Sequence, residues 1–356
     1  MQVRYDVPLA QLTTLRLGGP ARRLLDAATD DELVAAVAAA GDAGERVLVV
    51  AGGSNLVIAD AGFGGTVVRV ATRGARASAG GGREGRVSLE VAAGEPWDQL
   101  VARCVAEGLS GLECLSGIPG STGATPIQNV GAYGQEVSDT IASVRVYDTE
   151  HRAVRTLRGA ECAFAYRGSA FRRSPRFVVL GVTFVLERSS LARPIRYAEL
   201  ARTLSVAVGA RPPLSAVREA VLALRCAKGM VVDPRDPDSV SAGSFFVNPV
   251  LSADELAALQ SRVAERLDAT VSAPAWPGGD GNVKTSAAWL IEHAGFHRGY
   301  GAGRVGVSRK HTLALINRGG ATTGELLALA RELRDGVRDA FGVTLRPEPT
   351  LVGVEL

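Results

Sequence analysis

Short runs of apolar and β-branched residues, separated by glycine-rich turns, dominate the first half of the chain. Such runs fit the buried, pleated surface of a sheet and therefore predict strands. The predicted strands are 47–50, 66–70, 87–91, 143–147 and 177–186. The first of them leads into the turn Gly52-Gly53-Ser54-Asn55, and a second apolar run follows, which is typical of a strand–turn–strand unit.

Helical spacing of apolar residues appears in several other segments. Residues 96–107 carry apolar side chains three and four positions apart and stop at Gly108, and 215–228 follow a similar pattern. A Ser or Thr three residues before a Glu is the signature of a capping box at a helix N-terminus. This signature occurs at Thr29/Glu32, Ser252/Glu255 and Thr322/Glu325. The Gly- and Arg-rich stretch 74–85 has no period and predicts an exposed loop.

Residues 108–136 form a long segment without a regular period. It is rich in glycine but poor in charge, whereas exposed linkers are usually more polar. A long loop of this kind inside a compact domain more often has a function than serves only as a connection. Further on, Pro212-Pro213 marks a boundary, after which helices dominate. The outline is a strand-rich α+β part followed by a smaller α+β part.

Charge and cysteine content exclude several classes of function. Lys+Arg is 40 and Asp+Glu is 37, a net charge of +3, so we expect no nucleic-acid partner. The four Cys show no C-x-x-C spacing, which argues against a structural zinc site or a redox pair. The N-terminus lacks the apolar core of a signal peptide, and no apolar run approaches about 18 residues. We therefore expect a cytoplasmic protein without a membrane partner.

Two glycine-rich loops are candidates for a ligand role: Gly52-Gly53-Ser54-Asn55 and residues 116–123, which read SGIPGSTG. Glycine lets backbone N–H groups approach a phosphate closely, and Ser, Thr and Asn add further donors. The pair suits a pyrophosphate held between two loops, and the alternative is two tight turns without a ligand. Neither loop is a G-x-x-x-x-G-K-[ST] P-loop or a G-x-G-x-x-G turn, which argues against the common ATPase and dinucleotide folds.

Three further segments contain candidates for chemistry. Arg167 lies among aromatic residues in YRGSAF, where a partly buried guanidinium would bind carboxylate or phosphate through two hydrogen bonds. The alternative is a solvated face, because the same stretch holds Arg152, Arg155, Arg158, Arg172, Arg173 and Arg176. A Ser in SAGSFFVNP could donate a proton, although a buried hairpin also fits, and the acid of RPEP also fits a surface turn. His293 and His297 lack an H-E-x-x-H motif, so we predict no metal site.

Seven segments together match one family. They are TTLRLGG (13–19), AGGSNLVIAD (51–60), GIPGSTGATPIQNVGAYGQE (117–136), YRGSAF (166–171), GSFFVNP (243–249), KTSAAWLIEHAG (284–295) and LRPEPTLVG (345–353). In order and spacing the chain resembles the UDP-N-acetylenolpyruvoylglucosamine reductases, flavoenzymes that complete UDP-N-acetylmuramic acid for bacterial peptidoglycan. The third and fifth segments are the most specific.

The resemblance implies an α+β fold with a two-part FAD-binding region of the vanillyl-alcohol-oxidase-like type and a C-terminal α+β substrate-binding domain. We expect these parts at residues 1–72, 73–212 and 213–356. FAD would be held non-covalently, and Tyr133 lies in the stretch that resembles the one beside the flavin. The implied pyrophosphate cradle consists of Gly52, Gly53, Ser54, Asn55, Ser116, Gly117, Ile118, Gly120, Ser121 and Gly123.

The resemblance also implies the reaction. NADPH first reduces FAD, and UDP-N-acetylglucosamine-enolpyruvate then accepts the hydride on its methylene carbon. Arg167 and Glu348 match the residues that polarise the enolpyruvyl group, and Ser244 matches the proton donor to the enol carbon. A fixed guanidinium stabilises developing negative charge, and a positioned hydroxyl supplies a proton, so the assignment is chemically coherent.

Three other residues match the family's substrate shell. Tyr197 resembles the loop Tyr that one branch of the family folds over the nucleotide, and Lys228 and Asn248 resemble diphosphate and substrate contacts. The family more usually has Lys where this chain has Val247, which removes one charge near the nucleotide. We expect a monomer.

Two other functions remain open at this point. An oxidase of a small alcohol on the same scaffold would often tether FAD through a His, but His151, the only His before residue 290, lies outside both loops. That function would also leave GSFFVNP and Glu348 unexplained. A non-enzymatic nucleotide-sugar sensor predicts the loss of Arg167, Ser244 or Glu348, and all three are present.

Overall fold

The computed structural model describes residues 1–79, 85–172 and 174–356 and contains both helices and strands. The helices are α1 (Asp30–Asp42), α2 (Trp97–Ala106), α3 (Ala198–Thr203), α4 (Leu214–Ala227), α5 (Ala253–Arg266), α6 (Ala287–His293) and α7 (Thr323–Phe341). The strands are β1 (Gln2–Pro8), β2 (Pro20–Ala27), β3 (Val47–Val50), β4 (Leu56–Ile58), β5 (Phe63–Val70), β6 (Ala75–Ala79), β7 (Arg86–Ala92), β8 (Leu109–Ser110), β9 (Gly131–Ala132), β10 (Gln135–Glu136), β11 (Ile141–Asp148), β12 (Ala153–Arg158), β13 (Phe177–Arg188), β14 (Ser241–Ser244), β15 (Val250–Leu251), β16 (Ala275–Gly279), β17 (Asn282–Thr285), β18 (Val305–Val307), β19 (Ala314–Asn317) and β20 (Thr350–Val352).

The chain forms two compact units, each built from segments that are separated in the sequence. The first comprises Met1–Pro8, Pro20–Gly53 and Phe63–Val231. The second comprises Leu9–Gly19, Ser54–Gly62 and Val232–Leu356. Both combine helices with sheets, which confirms the predicted α+β class. The three domains at 1–72, 73–212 and 213–356 stay a prediction.

A four-stranded sheet opens the first unit. Its order is β1-β2-β5-β3, and β5 pairs in parallel with both β2 and β3. The connection from β2 to β3 contains α1, as parallel strands require a long crossover. The Thr29 hydroxyl accepts from the Glu32 N–H at 3.2 Å, as predicted, and the Glu32 carboxylate accepts from the Ala28 N–H at 2.8 Å.

A six-stranded antiparallel sheet carries the main core of the first unit. Its order is β12-β11-β13-β7-β6, with β8 beside β13. The central strand β13 reads FVVLGVTFVLER, a nearly continuous apolar run that matches burial on both faces. On α2, the fully buried Trp97 packs against Phe184 with ring centroids 5.9 Å apart. The indole N–H donates to the Leu115 carbonyl at 3.0 Å, so α2 is anchored to the long loop that follows it.

The second unit contains three small sheets around one core. Their orders are β14-β19-β18, β15-β17-β16 and the parallel pair β20-β4. Capping boxes at Ser252/Glu255 and Thr322/Glu325 begin α5 and α7, as predicted. The apolar stripe of α7 is buried, and the helix ends at Gly342, which takes the left-handed conformation with φ +74°.

Most predicted elements are confirmed to within a few residues, but one predicted loop is partly a strand, and several strands, β1, β2 and β12 among them, were not predicted. Ala75–Ala79 form β6 rather than a loop, because they pair antiparallel with β7. The rest of that predicted loop, residues 80–84, lies outside the described residues. Ala153–Arg158 form β12, an exposed edge strand that was not predicted. No helix among the described residues is long and apolar enough to cross a membrane.

Candidate active site

The two glycine-rich loops approach each other at Gly52 and Gly120, both of which belong to the first unit. A Cβ built on Gly52 would lie 2.5 Å from Gly120 Cα and 2.8 Å from the Gly120 carbonyl carbon. Carbon atoms prefer to be about 3.5–4.0 Å apart, so only glycine fits at residue 52. Gly53 follows with φ +57°, a conformation that glycine adopts without strain. The approach of Gly52 to Gly120 is the pairing of loops that a pyrophosphate cradle needs.

Residues 116–123, here called the cofactor loop, are held against the segment before α2. Gly123 N–H donates to the Ala93 carbonyl at 2.8 Å, and Thr122 N–H donates to the Glu95 carbonyl at 2.8 Å. Trp97 N–H donates to the Gly120 carbonyl at 3.1 Å. The Thr122 hydroxyl donates to the same Glu95 carbonyl at 3.1 Å, so backbone groups and one loop side chain together fix the course of the loop.

Two serines of the cofactor loop have different surroundings. The Ser116 hydroxyl is buried and donates to the Glu113 carbonyl at 2.7 Å. The Ser121 hydroxyl is also buried, and among the described residues it has no hydrogen-bond partner. A buried hydroxyl without a partner is costly unless a ligand satisfies it. Together with the close approach at Gly52, this hydroxyl fits the predicted diphosphate group of FAD.

The predicted residues Tyr133, Tyr197 and Lys228 come together in the first unit. The Tyr133 and Tyr197 rings meet edge to face, with centroids 5.7 Å apart, and Lys228 Nζ lies 5.9 Å from the Tyr133 ring centroid. Burial raises the pKa of Tyr133 to about 12, so the phenol stays neutral at physiological pH. Lys228 Nζ also binds both Glu199 carboxylate oxygens, at 2.8 and 3.0 Å. Glu199 was not singled out from the sequence, although it follows Tyr197 by two residues.

Arg167 is half-buried on a tight turn of the first unit. Ala165 and Gly168 exchange backbone hydrogen bonds of 3.0 and 3.1 Å across the turn, and Arg167 takes φ +51°. Its Nη2 donates to the Gly131 carbonyl at 2.9 Å, and its guanidinium lies 5.4 Å from the Tyr166 ring centroid. The side chain is therefore fixed by a backbone oxygen and an aromatic ring, which favours a positioned cation over a solvated one.

Other arginines of the same stretch form an ion-pair cluster around Asp148. The Asp148 carboxylate is fully buried and accepts from Arg176 at 2.8 and 3.1 Å and from Arg155 at 2.9 Å. Arg176 lowers the pKa of Asp148 most, and it prevails over the opposing effect of burial. Asp148, Glu150 and His151 have metal-ligand spacing, but two guanidinium groups already neutralise the central carboxylate. Arg173 lies outside the described residues.

Ser244 and Glu348 lie on adjoining segments of the second unit. Ser244 ends β14, and the next residue, Phe245, accepts from Glu348 N–H at 2.9 Å. Val247 N–H donates to the Arg346 carbonyl at 3.1 Å, so the two segments run side by side. Phe245 and Phe246, which follow Ser244 directly, are both 1% exposed and belong to the apolar core of the second unit. The RPEP segment is thus paired backbone rather than a free surface turn.

Asn55 and Asn248 also belong to the second unit, together with Ser54. Asn55 Nδ2 donates to the Glu348 carbonyl at 3.4 Å, and Thr350 N–H donates to the Asn55 carbonyl at 3.0 Å. The parallel pairing of β4 with β20 produces this neighbourhood. Asn248 Oδ1 accepts from Ala287 N–H at 3.0 Å and so holds the start of α6.

The two histidines with helical spacing have local roles. The His293 ring stacks on Trp289 with centroids 3.9 Å apart, and its Nδ1 lies 2.8 Å from the Trp289 carbonyl. His297 Nδ1 lies 2.9 Å from the Arg298 carbonyl. Each ring is therefore oriented by its own backbone surroundings.

Known protein families match both the N-terminal and the C-terminal half of the chain. A family model described as an FAD binding domain matches residues 21–157. A model described as the C-terminal domain of UDP-N-acetylenolpyruvoylglucosamine reductase matches residues 235–352. The reductase of that name from Thermobifida fusca is 59% identical over 351 residues, which are 99% of this chain and 98% of that protein. The one from Streptomyces coelicolor is 59% identical over 358 residues, covering 100% of this chain and 92% of that protein.

Solved structures support the fold. The crystal structure of UDP-N-acetylenolpyruvylglucosamine reductase from Thermus caldophilus has a TM-score of 0.65 and 24% identity, with 99% of both chains covered. A solvent-stable cholesterol oxidase has a TM-score of 0.50 and 13% identity, with 97% of this chain and 86% of that chain covered. At such identities these likenesses bear on the fold alone.

Proposed function

The chain belongs to the UDP-N-acetylenolpyruvoylglucosamine reductase family of oxidoreductases, and we propose that it reduces UDP-N-acetylglucosamine-enolpyruvate to UDP-N-acetylmuramate with NADPH as hydride donor. The observation that carries the proposal is the 59% identity along 99% of the chain. Arg167, Ser244 and Glu348, the residues that the reaction requires by resemblance, are all present. The product serves peptidoglycan precursor synthesis.

We assign FAD binding to the cradle. The direct packing of Gly52 on Gly120 supports the pairing of the two loops around a phosphate group, and the Ser121 hydroxyl would donate to a diphosphate oxygen. When bound, FAD supplies the redox chemistry by taking hydride from NADPH and passing it to the enolpyruvyl double bond. The edge-to-face contact with Tyr197 and the neutral phenol support a place for Tyr133 beside the flavin.

We assign electrostatic stabilisation to Arg167. Negative charge develops on the enolpyruvyl carboxylate as the double bond is reduced, and a fixed guanidinium stabilises it most where water is excluded. The contact of Nη2 with the Gly131 carbonyl and the nearby Tyr166 ring hold the guanidinium in one place. Such preorganisation means that little reorganisation is needed when charge develops.

We assign the proton transfer to Ser244. The enol carbon formed by hydride addition is strongly basic, which is what a weak acid such as a serine hydroxyl requires. The hydroxyl lies at the end of β14, directly before the buried Phe245, so the strand and the apolar core fix its position. A proton relay to water would reload the serine after each turnover.

Glu348 is assigned to the same polarising step as Arg167. A bare carboxylate beside a developing enolate would repel it, so Glu348 must either be protonated or act through a water relay. Its backbone N–H on the Phe245 carbonyl keeps it beside the Ser244 segment.

Tyr197, Lys228 and Asn248 are assigned to the nucleotide. Tyr197 is 46% exposed, as a residue that covers a substrate would be before binding, and this supports the branch of the family with the covering Tyr loop. Lys228 supplies a cation for the diphosphate. Val247 leaves that part of the shell without the lysine that is more usual in the family.

A single anaerobic cuvette tests the proposal. Protein loaded with FAD should lose its flavin absorbance when NADPH is added and regain it when the enolpyruvyl nucleotide is added. Return of absorbance only with oxygen would support an oxidase instead. Failure to bind FAD at all would contradict both functions.

Two substitutions test the assigned roles separately. Ser244→Ala should keep flavin reduction by NADPH but slow reoxidation by the nucleotide by about 10²–10⁴-fold, as expected for loss of an acid catalyst. Arg167→Lys should slow the same step, because Lys cannot reproduce a planar, two-point contact. Ser261→Ala and Arg158→Lys are matched controls on exposed positions. Near-normal reoxidation in Ser244→Ala would remove Ser244 from its role.

A further inference from the structure

We propose that Asp98 is a positioning residue for FAD binding, and that it fixes the cofactor loop by accepting the Gly117 N–H while Arg218 holds and neutralises its carboxylate. The inference rests on the proposed function only in that the loop binds FAD. Neither Asp98 nor Arg218 lies in the segments that carry the family resemblance.

The geometry is a three-part junction within the first unit. Asp98 Oδ1 accepts from Gly117 N–H at 2.6 Å. The same oxygen accepts from Arg218 Nη1 at 2.7 Å, and Oδ2 accepts from Arg218 Nη2 at 2.9 Å. A two-point guanidinium–carboxylate contact fixes both side chains in direction as well as distance. The loop amide, α2 and α4 are therefore tied at one point.

Gly117 packs closely against α4, so its position affects the whole cofactor loop. Gly117 has φ +71°, and a Cβ there would lie 2.8 Å from Leu222 Cδ2 and 3.0 Å from Val231 Cγ2. Leu222 belongs to α4, the helix that also carries Arg218. The loop thus presses its backbone against α4, and Asp98 sets how far along that surface it lies.

The negative charge of Asp98 explains why it needs Arg218 as a partner. Burial raises the pKa of Asp98, but the hydrogen bonds from Arg218 and Gly117 prevail and lower it below its usual value, so the group is a carboxylate at neutral pH. A carboxylate next to an anion-binding loop would repel a diphosphate. The Arg218 fork cancels that charge and leaves Asp98 to act as a hydrogen-bond acceptor.

Asp98 lies outside the cofactor loop, so its contact with the loop can be removed without changing the loop's own sequence. The other bonds that hold the cofactor loop to residues 93–97 join backbone groups or start from the loop's own Thr122 hydroxyl, which donates to the Glu95 carbonyl at 3.1 Å, so among the described residues no other side chain outside the loop takes part in them. The Gly117 N–H is held by a side chain. A substitution at Asp98 therefore isolates its contribution from the rest of the cradle.

The test measures the dissociation constant of FAD by flavin fluorescence in protein stripped of flavin. Asp98→Ala should weaken FAD binding by about tenfold or more, the effect expected when a backbone donor loses a charged acceptor. Asp98→Asn keeps an acceptor oxygen and should stay within about threefold of the parent protein. Arg103→Gln, which breaks an exposed ion pair between Arg103 of α2 and Glu107 directly after the helix, is the control and should leave binding unchanged.

A charge-swapped variant separates positioning from plain stability. Asp98→Arg combined with Arg218→Asp retains opposite charges between α2 and α4, but it faces the Gly117 N–H with a donor. We expect a melting temperature near that of Asp98→Asn together with FAD binding weakened by about tenfold or more. Should Asp98→Ala not fold, the swapped variant and Asp98→Asn still decide the question.

The outcomes distinguish the inference from the proposed function. If the parent protein binds FAD and the swapped variant binds it equally well, Asp98 has no positioning role, and the reductase proposal stands. If the parent protein itself does not bind FAD, both fall. Weak binding in the swapped variant with near-parental binding in Asp98→Asn supports the inference.

Discussion

One added methyl group at residue 52 is the sharpest test of the cradle. In Gly52→Ala, the new Cβ would lie 2.5 Å from Gly120 Cα and 2.8 Å from the Gly120 carbonyl carbon. Carbon contacts are most favourable at about 3.5–4.0 Å, so the two loops would have to separate by about 1 Å. Both clashing atoms are backbone, and no side chain can rotate away to accommodate the methyl.

The expected magnitude follows from the cost of overpacking. Forcing an extra methyl into a closed space costs typically about 1–3 kcal/mol. If the flavin needs the loops in their present spacing, that cost appears in the binding equilibrium, which corresponds to about 5–150-fold weaker FAD binding. The Trp97 N–H on the Gly120 carbonyl opposes relaxation of the loop, which favours the upper part of this range.

The assay is titration of flavin-free protein with FAD, read by quenching of flavin fluorescence, with the melting temperature measured in parallel. Gly41→Ala is the matched control, because it adds the same methyl at a helical glycine where nothing lies within 4 Å. A helical Gly→Ala change at an open site stabilises by about 0.4–1 kcal/mol, so this control should bind FAD normally and melt slightly higher. Parental FAD affinity in Gly52→Ala would refute the argument that the Gly52–Gly120 approach forms the binding site.

Three further predictions concern other parts of the first unit. Asp148→Asn should lower the melting temperature at pH 7, and the difference in melting temperature from the parent protein should shrink below about pH 4. The reason is that a carboxylate with a depressed pKa stabilises the fold fully only above its unfolded-state pKa of about 3.9. A difference in melting temperature that stays the same at every pH would contradict this. A maleimide should label the exposed Cys226 in the native protein and spare Cys104, whose pKa burial raises to about 12, as mass spectrometry would show; equal labelling would contradict the packing. Glu199→Gln should release Lys228 and lower the KM for the nucleotide by up to about fivefold, which corresponds to the free energy of a partly exposed ion pair. A raised KM would instead mean that Glu199 positions Lys228.

Local signals in the sequence were sufficient wherever one segment decides its own structure. The capping boxes at Ser252 and Thr322 were predicted because their partners lie three residues away. The central strand β13 was predicted because burial on both faces leaves a continuous apolar run. Edge strand β12, by contrast, has an exposed, Arg-containing sequence, and only its pairing with β11 makes it a strand.

Pairings across long sequence separations could not be predicted from the chain. The glycines at 52 and 120 were each recognisable as loop residues, but their mutual approach depends on how two distant loops pack. Asp98 and Arg218 are 120 residues apart, and each reads as an ordinary charged residue on a helix surface. Their arrangement becomes visible only in the structure, where Asp98 accepts both from Arg218 and from the Gly117 N–H.

The predicted residues Tyr133 and Arg167 share a feature that their side-chain types conceal. Together with Asn129, they take positive φ values of 46–51°, which costs non-glycine residues about 1–3 kcal/mol each. Asn129 Nδ2 donates to the Ala165 carbonyl at 3.2 Å, and Arg167 Nη2 donates to the Gly131 carbonyl at 2.9 Å, so each motif holds the strained turn of the other. Each such hydrogen bond contributes about 0.5–1.5 kcal/mol, so each motif offsets part of the strain in the other. The PIQNVGAYG and YRGSAF segments therefore act as one structural element, although they are about 30 residues apart in the sequence.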